Sequence, residues 1–251
     1  MILLETHFPR CTEDAPGKET NNIYRSNFGD EVITCEKVKW AIHSFDSYKS
    51  PGPDGIIPKM LQVTASRIAP LLTSIFRSCI NLGYIPSTWK KVKVVFIPKA
   101  GKANHSKAKD FRPISLSSFL LKTMERILDE HIRNLFSPEM ISQSQHAYMK
   151  GRSVDTALHD SVRIIESSLE HNQYTLAAFL DIEGAFNNVT LDAIVNSLIK
   201  LRVDNSVCQW ISLMLRSREI NSKVGESSLT RYVTRGTPQG GVSRRWPTRM
   251  M

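Results

Sequence analysis

The stretch FLDIEGAFNNV, residues 179–189, decides how the rest of the chain is read. Leu176, Ala178, Phe179 and Leu180 are apolar and read as a strand, within YTLAAFLDIEGAF, that delivers one carboxylate, Asp181, at its C-terminal end. Gly184 and Ala185 then turn the chain. A carboxylate placed there suits a hard cation such as Mg²⁺, held together with a substrate phosphate. Glu183, at i+2, shares a strand face with Asp181 if the strand continues. The residues alone also allow a plainer reading, in which Asp181 ends a strand or caps the next helix.

Outward from this segment, the bulk numbers narrow the choices. The chain has 251 residues, which suits one large domain or two modest ones, and 41% of them are hydrophobic, enough for a core. Net charge is +9 and the pI about 9.5. The densest basic stretch runs through Lys90, Lys91, Lys93, Lys99, Lys102, Lys107, Lys109 and Arg112. Such a surface suits a polyanion, most simply nucleic acid, or is merely a soluble basic surface. Cys11, Cys35, Cys79 and Cys208 are scattered, which argues against zinc and against a disulfide framework. MILLETHFPRC carries no apolar stretch of signal-peptide length, and no run approaches the roughly 20 residues of a spanning helix. The expectation is an intracellular protein outside the membrane.

Periodicity supplies a coarse outline. Residues 1–31 are polar and turn-rich and read as a poorly structured lead-in. Thr34 to Ser47 reads as a helix, with Val38, Ala41, Ile42 and Phe45 at helical spacing and Thr34 as cap. KSPGPDGIIP is a loop, with Asp54 a turn residue, and 57–82 gives one or two apolar helices ending near Gly83. VKVVFIPK reads as a strand. ISLSSFLLKTMERILDEHIRNLF is the most periodic helix, on a stripe of Leu120, Met124, Ile127, Leu128, Ile132 and Leu135. A helix capped by Ser153 precedes the Asp181 strand, and two more helices and a hairpin over Glu219–Val233 follow it. Helices and strands mix without regular alternation, so the fold class is α+β.

Several segments then resemble, in order, the motifs of reverse transcriptases, in the form found in non-LTR (LINE-like, Jockey-type) retrotransposons. FLDIEGAFNNV is similar to the family's A motif. KSPGPDGI (49–56) resembles the loop opening its fingers. VVFIPKAGK and DFRPISLSSFLLKTMERI (94–127) resemble its fingers motifs. QHAYMKGRSVDTAL (145–158) resembles the segment before the palm, and RGTPQGGV (235–242) its B motif. The matches span about residues 32–242.

The resemblance implies a right hand of palm, fingers and thumb that copies an RNA template onto a DNA primer, using dNTPs and two Mg²⁺ ions. It implies that Asp181 is a catalytic metal ligand and that Ile182 offers its carbonyl. Phe186 stands at the steric-gate position, where an aromatic face under the sugar excludes a 2′-hydroxyl. Its residue-level alternative is core packing. Lys99 and Arg112 stand where the fingers approach the triphosphate, a place that calls for fixed cations. Solvent, or a pairing with Asp110, is the alternative. Gln239 and Gly240 would touch the nucleotide, and Lys150 and Arg152 the template or primer backbone. A site of action on chromosomal DNA would be nuclear.

Two departures stand against the pattern. Asn187 replaces the usual Asp after Phe186, and no two aspartates are adjacent anywhere in the 251 residues. The family's aromatic-x-Asp-Asp hairpin and its thumb are therefore expected to be absent. One carboxylate does not hold two closely spaced Mg²⁺ ions, so the expectation is a fragment of fingers and partial palm that binds rather than polymerises. After Val242 the chain turns to SRRWPTRMM, which reads as an out-of-frame tail over 243–251.

Overall fold

The computed structural model describes residues 2–9, 11–13, 27–101, 104–135, 142–149, 151–181, 184, 187–216, 218–224 and 226–242. The tail over 243–251 lies outside the described residues.

Two hairpins make one mixed sheet. The first pairs β1 (Lys91–Pro98) antiparallel with β2 (Phe111–Leu116). The second pairs β3 (Arg218–Val224) antiparallel with β4 (Ser227–Val233). β1 and β3 run parallel, which gives the order β2-β1-β3-β4. The result is a mixed α/β protein, as the irregular ordering of elements suggests, and the Glu219–Val233 hairpin is where it was expected.

The helices are α1 (Ile2–His7), α2 (Phe28–Val32), α3 (Cys35–His43), α4 (Pro58–Asn81), α5 (Phe119–Leu135), α6 (Val154–Glu170), α7 (Leu191–Lys200) and α8 (Asn205–Leu215). Their starts follow local chemistry. Thr34, Ser153, Thr190 and Asp204 each accept a backbone N–H from the first turn of the helix they precede. Pro58 opens α4, where its missing N–H costs nothing. Residues 57–82 thus form one helix, which continues through Pro70 because Leu61, Ala65, Ala69, Leu72, Phe76 and Ile80 bury one side of it.

The main core joins α3, α4, α5, α7 and α8. Val38, Ala41, Ile42, Phe76, Met124, Trp210 and Ile211 are wholly buried there. Phe76 meets Trp89 edge-on with ring centres 5.8 Å apart. A smaller core of Leu4, Phe8, Val92, Val94, Ile220 and Val233 lies under the sheet.

Three expectations are corrected. The start of the lead-in is ordered: Leu4 and Phe8 are buried beneath the sheet, and Thr12 exchanges backbone hydrogen bonds with Tyr232. Two apolar side chains suffice to pin so short a helix. The helix expected from Ile114 begins at Phe119, because Phe111–Leu116 pairs with β1. Its inner stripe holds at Met124, Ile127, Leu128 and Ile132, while Leu135 is exposed. The strand expected before Asp181 does not form. Residues 173–181 pair with no strand among the described residues, and Tyr174, Leu176, Phe179 and Leu180 are exposed. An apolar run states what a segment can bury, but a strand also needs a neighbour's N–H and C=O groups. α6 forms as expected, yet buries none of its residues. No helix among the described residues is long and apolar enough to cross a membrane.

Truncating Phe76 to Ala should cost about 3–5 kcal/mol, read as a lowered urea midpoint with unchanged slope. Burial also lowers the pKa of His7 and, with a nearby Lys37, that of His131, each from 6.5. The fold therefore favours both rings neutral. Their contribution is present above pH 6.5 and is lost as pH falls from there through the lower folded values. Urea titrations across this range should show that loss, and the variant carrying both His7→Gln and His131→Gln should flatten it.

Candidate functional site

The expected fingers cations share one hairpin. In the β1/β2 register Ile97 faces Arg112 and Pro98 faces Phe111, and one step further the Lys99 N–H donates to the Asp110 carbonyl at 2.8 Å. The ladder thus sets Lys99 and Arg112 close together at the end of the hairpin where residues 99–110 connect its strands. Arg112 is exposed, and its guanidinium has no hydrogen bond or ion pair among the described residues. Asp110 does not neutralise it: the Asp110 carboxylate accepts from the Lys107 N–H at 2.9 Å. Alternation along β2 puts Arg112, Ile114 and Leu116 on one face.

That face meets the glycine loop. The Ser115 N–H donates to the Gln239 carbonyl at 2.6 Å, so RGTPQGGV lies along β2. Gly240 has φ +115°, and a Cβ there would stand 2.6 Å from the Ser115 carbonyl oxygen. Only glycine fits this close approach without strain. The loop is anchored at both ends. Arg218, 5% exposed, donates to the carbonyls of Arg235 and Gly236 at 2.8 and 2.6 Å. The Val242 N–H donates to the buried Glu125 carboxylate at 3.2 Å. Burial lowers the Arg218 pKa to about 10, opposed by Glu125. It remains charged at neutral pH and clamps the loop.

The loop KSPGPDGI docks on the other side of the same joint. A Cβ at Gly52 would come within 2.6 Å of the Ser117 carbon and the Ser118 nitrogen, so this loop lies backbone to backbone on the β2–α5 turn. Asp54 is a turn residue, accepting from the Ile56 N–H at 3.2 Å.

Among the described residues, a backbone hydrogen bond joins the segment after Asp181 to the glycine loop. The Gly236 N–H donates to the Val189 carbonyl at 2.9 Å. Asn187 and Asn188 both donate their N–H groups to the Gly184 carbonyl, which closes the turn expected there. Asp181 is exposed. Ile182, Glu183, Phe186 and Lys150 lie outside the described residues. No group of three or more His, Cys, Asp or Glu that could hold a metal occurs among the described residues. Asp181 alone does not fit a two-ion Mg²⁺ centre. Arg152 has a local duty, since its Nη1 donates to the carbonyls of Ser142, Gln143 and Gln145. It braces the turn before α6, so the structure gives its guanidinium a partner other than a phosphate.

Some residues went unread in the sequence. Lys49, Lys122 and Arg126 line a cavity of about 510 Å³ between α3, β2, α5 and the glycine loop. The available signal was the i, i+4 spacing of Lys122 and Arg126, which sets them on one side of α5.

Fold and site together define a basic, mixed α/β protein with cations gathered on one hairpin beside a clamped glycine loop. The profile of the reverse transcriptase (RNA-dependent DNA polymerase) family matches residues 97–243, and the chain belongs to this family. It is similar to a 115 kDa protein of the type-1 retrotransposable element R1DM of Drosophila melanogaster, 31% identical over 96% of this chain and 22% of the relative. The RNA-directed DNA polymerase from mobile element jockey of the same species is 28% identical over 84% of this chain and 23% of the relative. The retrovirus-related Pol polyprotein from type-1 retrotransposable element R1 of Bradysia coprophila is 30% identical over 84% of this chain and 21% of the relative. The chain thus spans 21–23% of the length of these curated relatives.

Gly240→Ala should lower stability by about 1–3 kcal/mol, because it meets both the positive φ and the Ser115 carbonyl. Chemical denaturation measures this. A variant as stable as the parent would show that the loop is not held against β2.

Proposed function

We propose that this chain is the fingers and partial palm, residues 32–242, of a reverse transcriptase from a non-LTR retrotransposon, and that it serves RNA-directed DNA synthesis. The supporting observation is the convergence of three family motifs on one joint. The Lys99/Arg112 hairpin, the glycine loop and the 49–56 loop all meet at the turn between β2 and α5. Arg112, exposed and uncommitted, offers a planar fork for phosphate oxygens, with Lys99 beside it as a point charge. Gln239 and Gly240 border the same face, where a dNTP would lie between hairpin and loop. An RNA template and a DNA primer are the partners this reading requires, and action on chromosomal DNA would place it in the nucleus. Two Mg²⁺ ions belong to the chemistry of the family. The tail over 243–251 belongs to the reading as an out-of-frame extension.

A second reading rests on one feature of the sequence: no two aspartates are adjacent in the 251 residues, so none can pair with Asp181 in the way the family's twin carboxylates do. In this reading the chain binds nucleic acid and nucleotide without joining them.

Primer extension with Mg²⁺ and the purified chain separates the two. The second reading predicts no incorporation. Incorporation that disappears in Asp181→Ala would establish polymerisation by this chain. In either case the chain should bind single-stranded nucleic acid with an affinity that falls steeply between about 50 and 200 mM salt. Arg112→Ala should weaken dNTP binding about tenfold in calorimetry, the loss of roughly one charged hydrogen bond.

A further inference from the structure

Resting on that reading, we infer that His7 is a positioning residue for the nucleotide side of the hairpin. From α1 it holds the β1–β2 connection, and with it Lys99, in the course that meets a triphosphate. His7 Nε2 lies 2.9 Å from the Ala108 carbonyl oxygen, 101 residues further along the chain. A carbonyl only accepts, so Nε2 carries a proton and donates it. Burial works against a second proton on the ring, and so does the charge of Lys99. The ring is therefore neutral at pH 7, and its one N–H is committed to Ala108. That Lys99 acts on the ring also places both groups at the same end of the hairpin.

The connection otherwise closes on itself. The Lys99 N–H donates to the Asp110 carbonyl at 2.8 Å, and the Lys107 N–H to the Asp110 carboxylate at 2.9 Å. His105 Nε2 stands 2.9 Å from the Lys99 carbonyl oxygen. His7 adds a tie to a separate element, and that element is fixed. Leu4 and Phe8 are buried under the sheet. The His7 ring meets Phe96 with centres 5.6 Å apart. Thr12 exchanges backbone hydrogen bonds with Tyr232, and Glu13 pairs with Arg231 at 2.6 Å. Ile97 stands opposite Arg112 in the ladder, and neighbours along a strand alternate, so Phe96 faces the other side of the sheet. His7 thus reaches the connection from behind the cations and leaves their phosphate side open.

Apolar contacts already secure α1, so the hydrogen bond is not needed to hold the helix. Its consequence falls on the connection. A lysine on a loose loop loses backbone and side-chain freedom when it grips a phosphate, and that loss weakens binding. Fixing the backbone at Ala108 beforehand removes part of the loss. The brace also comes from outside residues 97–243, the stretch that matches the family profile. A packing role alone would need only a ring at position 7, whereas a positioning role needs a donor there.

The test uses the full chain. His7→Phe keeps a ring against Phe96 and removes the donor, while His7→Gln places an amide donor at about the reach of Nε2. In His7→Phe, calorimetric affinity for dNTP should fall roughly threefold, the lower end of what one hydrogen bond contributes. Hydrogen exchange across residues 104–110, measured without ligand, should quicken. The urea midpoint should stay at the parent's, and His7→Gln should restore both affinity and exchange. If His7→Phe fails to fold, His7→Asn, whose amide reaches no further than Nδ1, takes its place. Parent dNTP affinity in the folded variant would overturn the inference, and so would a loss that His7→Gln does not rescue. A lowered midpoint with parent affinity would assign His7 to packing and overturn it likewise. Arg112→Ala separates this from the parent reading. A chain whose dNTP affinity responds to Arg112 but not to His7 loses only the brace, whereas a chain that takes no dNTP loses both.

Discussion

The turn between β2 and α5 is the joint on which the rest depends. In a few residues the chain passes from Ser115, paired to the glycine loop, through Ser117 and Ser118, pressed against Gly52, to Lys122 in the cavity wall. Each contact is backbone to backbone or nearly so. Main-chain contacts of this kind leave no room for side chains, so the glycines at 52 and 240 are required by geometry. The joint lets three segments distant in sequence share one surface.

The buried charges maintain that surface. Arg218 and Glu125 lie beneath the glycine loop and engage it from opposite ends. Burying such groups is costly, and their hydrogen bonds to backbone offset the cost. What the loop gains is a fixed path. A glycine-rich segment has much conformational freedom to lose, and here the guanidinium and the carboxylate hold it in one course. The hairpin side works differently: its cations are set by the register of the ladder.

Much of this was legible in the sequence, and the residues show why. Thr34 and Ser153 cap helices because a hydroxyl beside an orphan N–H acts locally. The stripe from Met124 to Ile132 faces the core because its period matches the helix. The order of the motifs, and with it the family, could be read along the chain and agrees with the match over residues 97–243. What could not be read depends on partners distant in sequence. Phe111–Leu116 is a strand because β1 lies alongside it, although its end merges into a helical pattern. Residues 173–181 have a strand's composition without a strand's neighbour. Arg152 resembles a phosphate contact in its motif, yet its donors meet carbonyls seven to ten residues away. Lys122 lies off the apolar stripe of its helix, and only the packing of distant segments makes it part of a cavity wall.

The bare side of α6 and the run from Tyr174 to Leu180 have a consequence for the colloid chemistry of the molecule. Val154, Leu158, Val162, Ile165 and Leu169 form a continuous greasy seam on a molecule of net charge +9. Mutual repulsion of the cations keeps such molecules apart at low ionic strength. Added salt screens that repulsion beyond about 10 Å at 0.1 M while leaving apolar attraction intact. On the proposed reading, the medium that would free this chain from a polyanion is therefore the one that would bring its own copies together, and its solubility and its grip on nucleic acid would share one electrostatic setting.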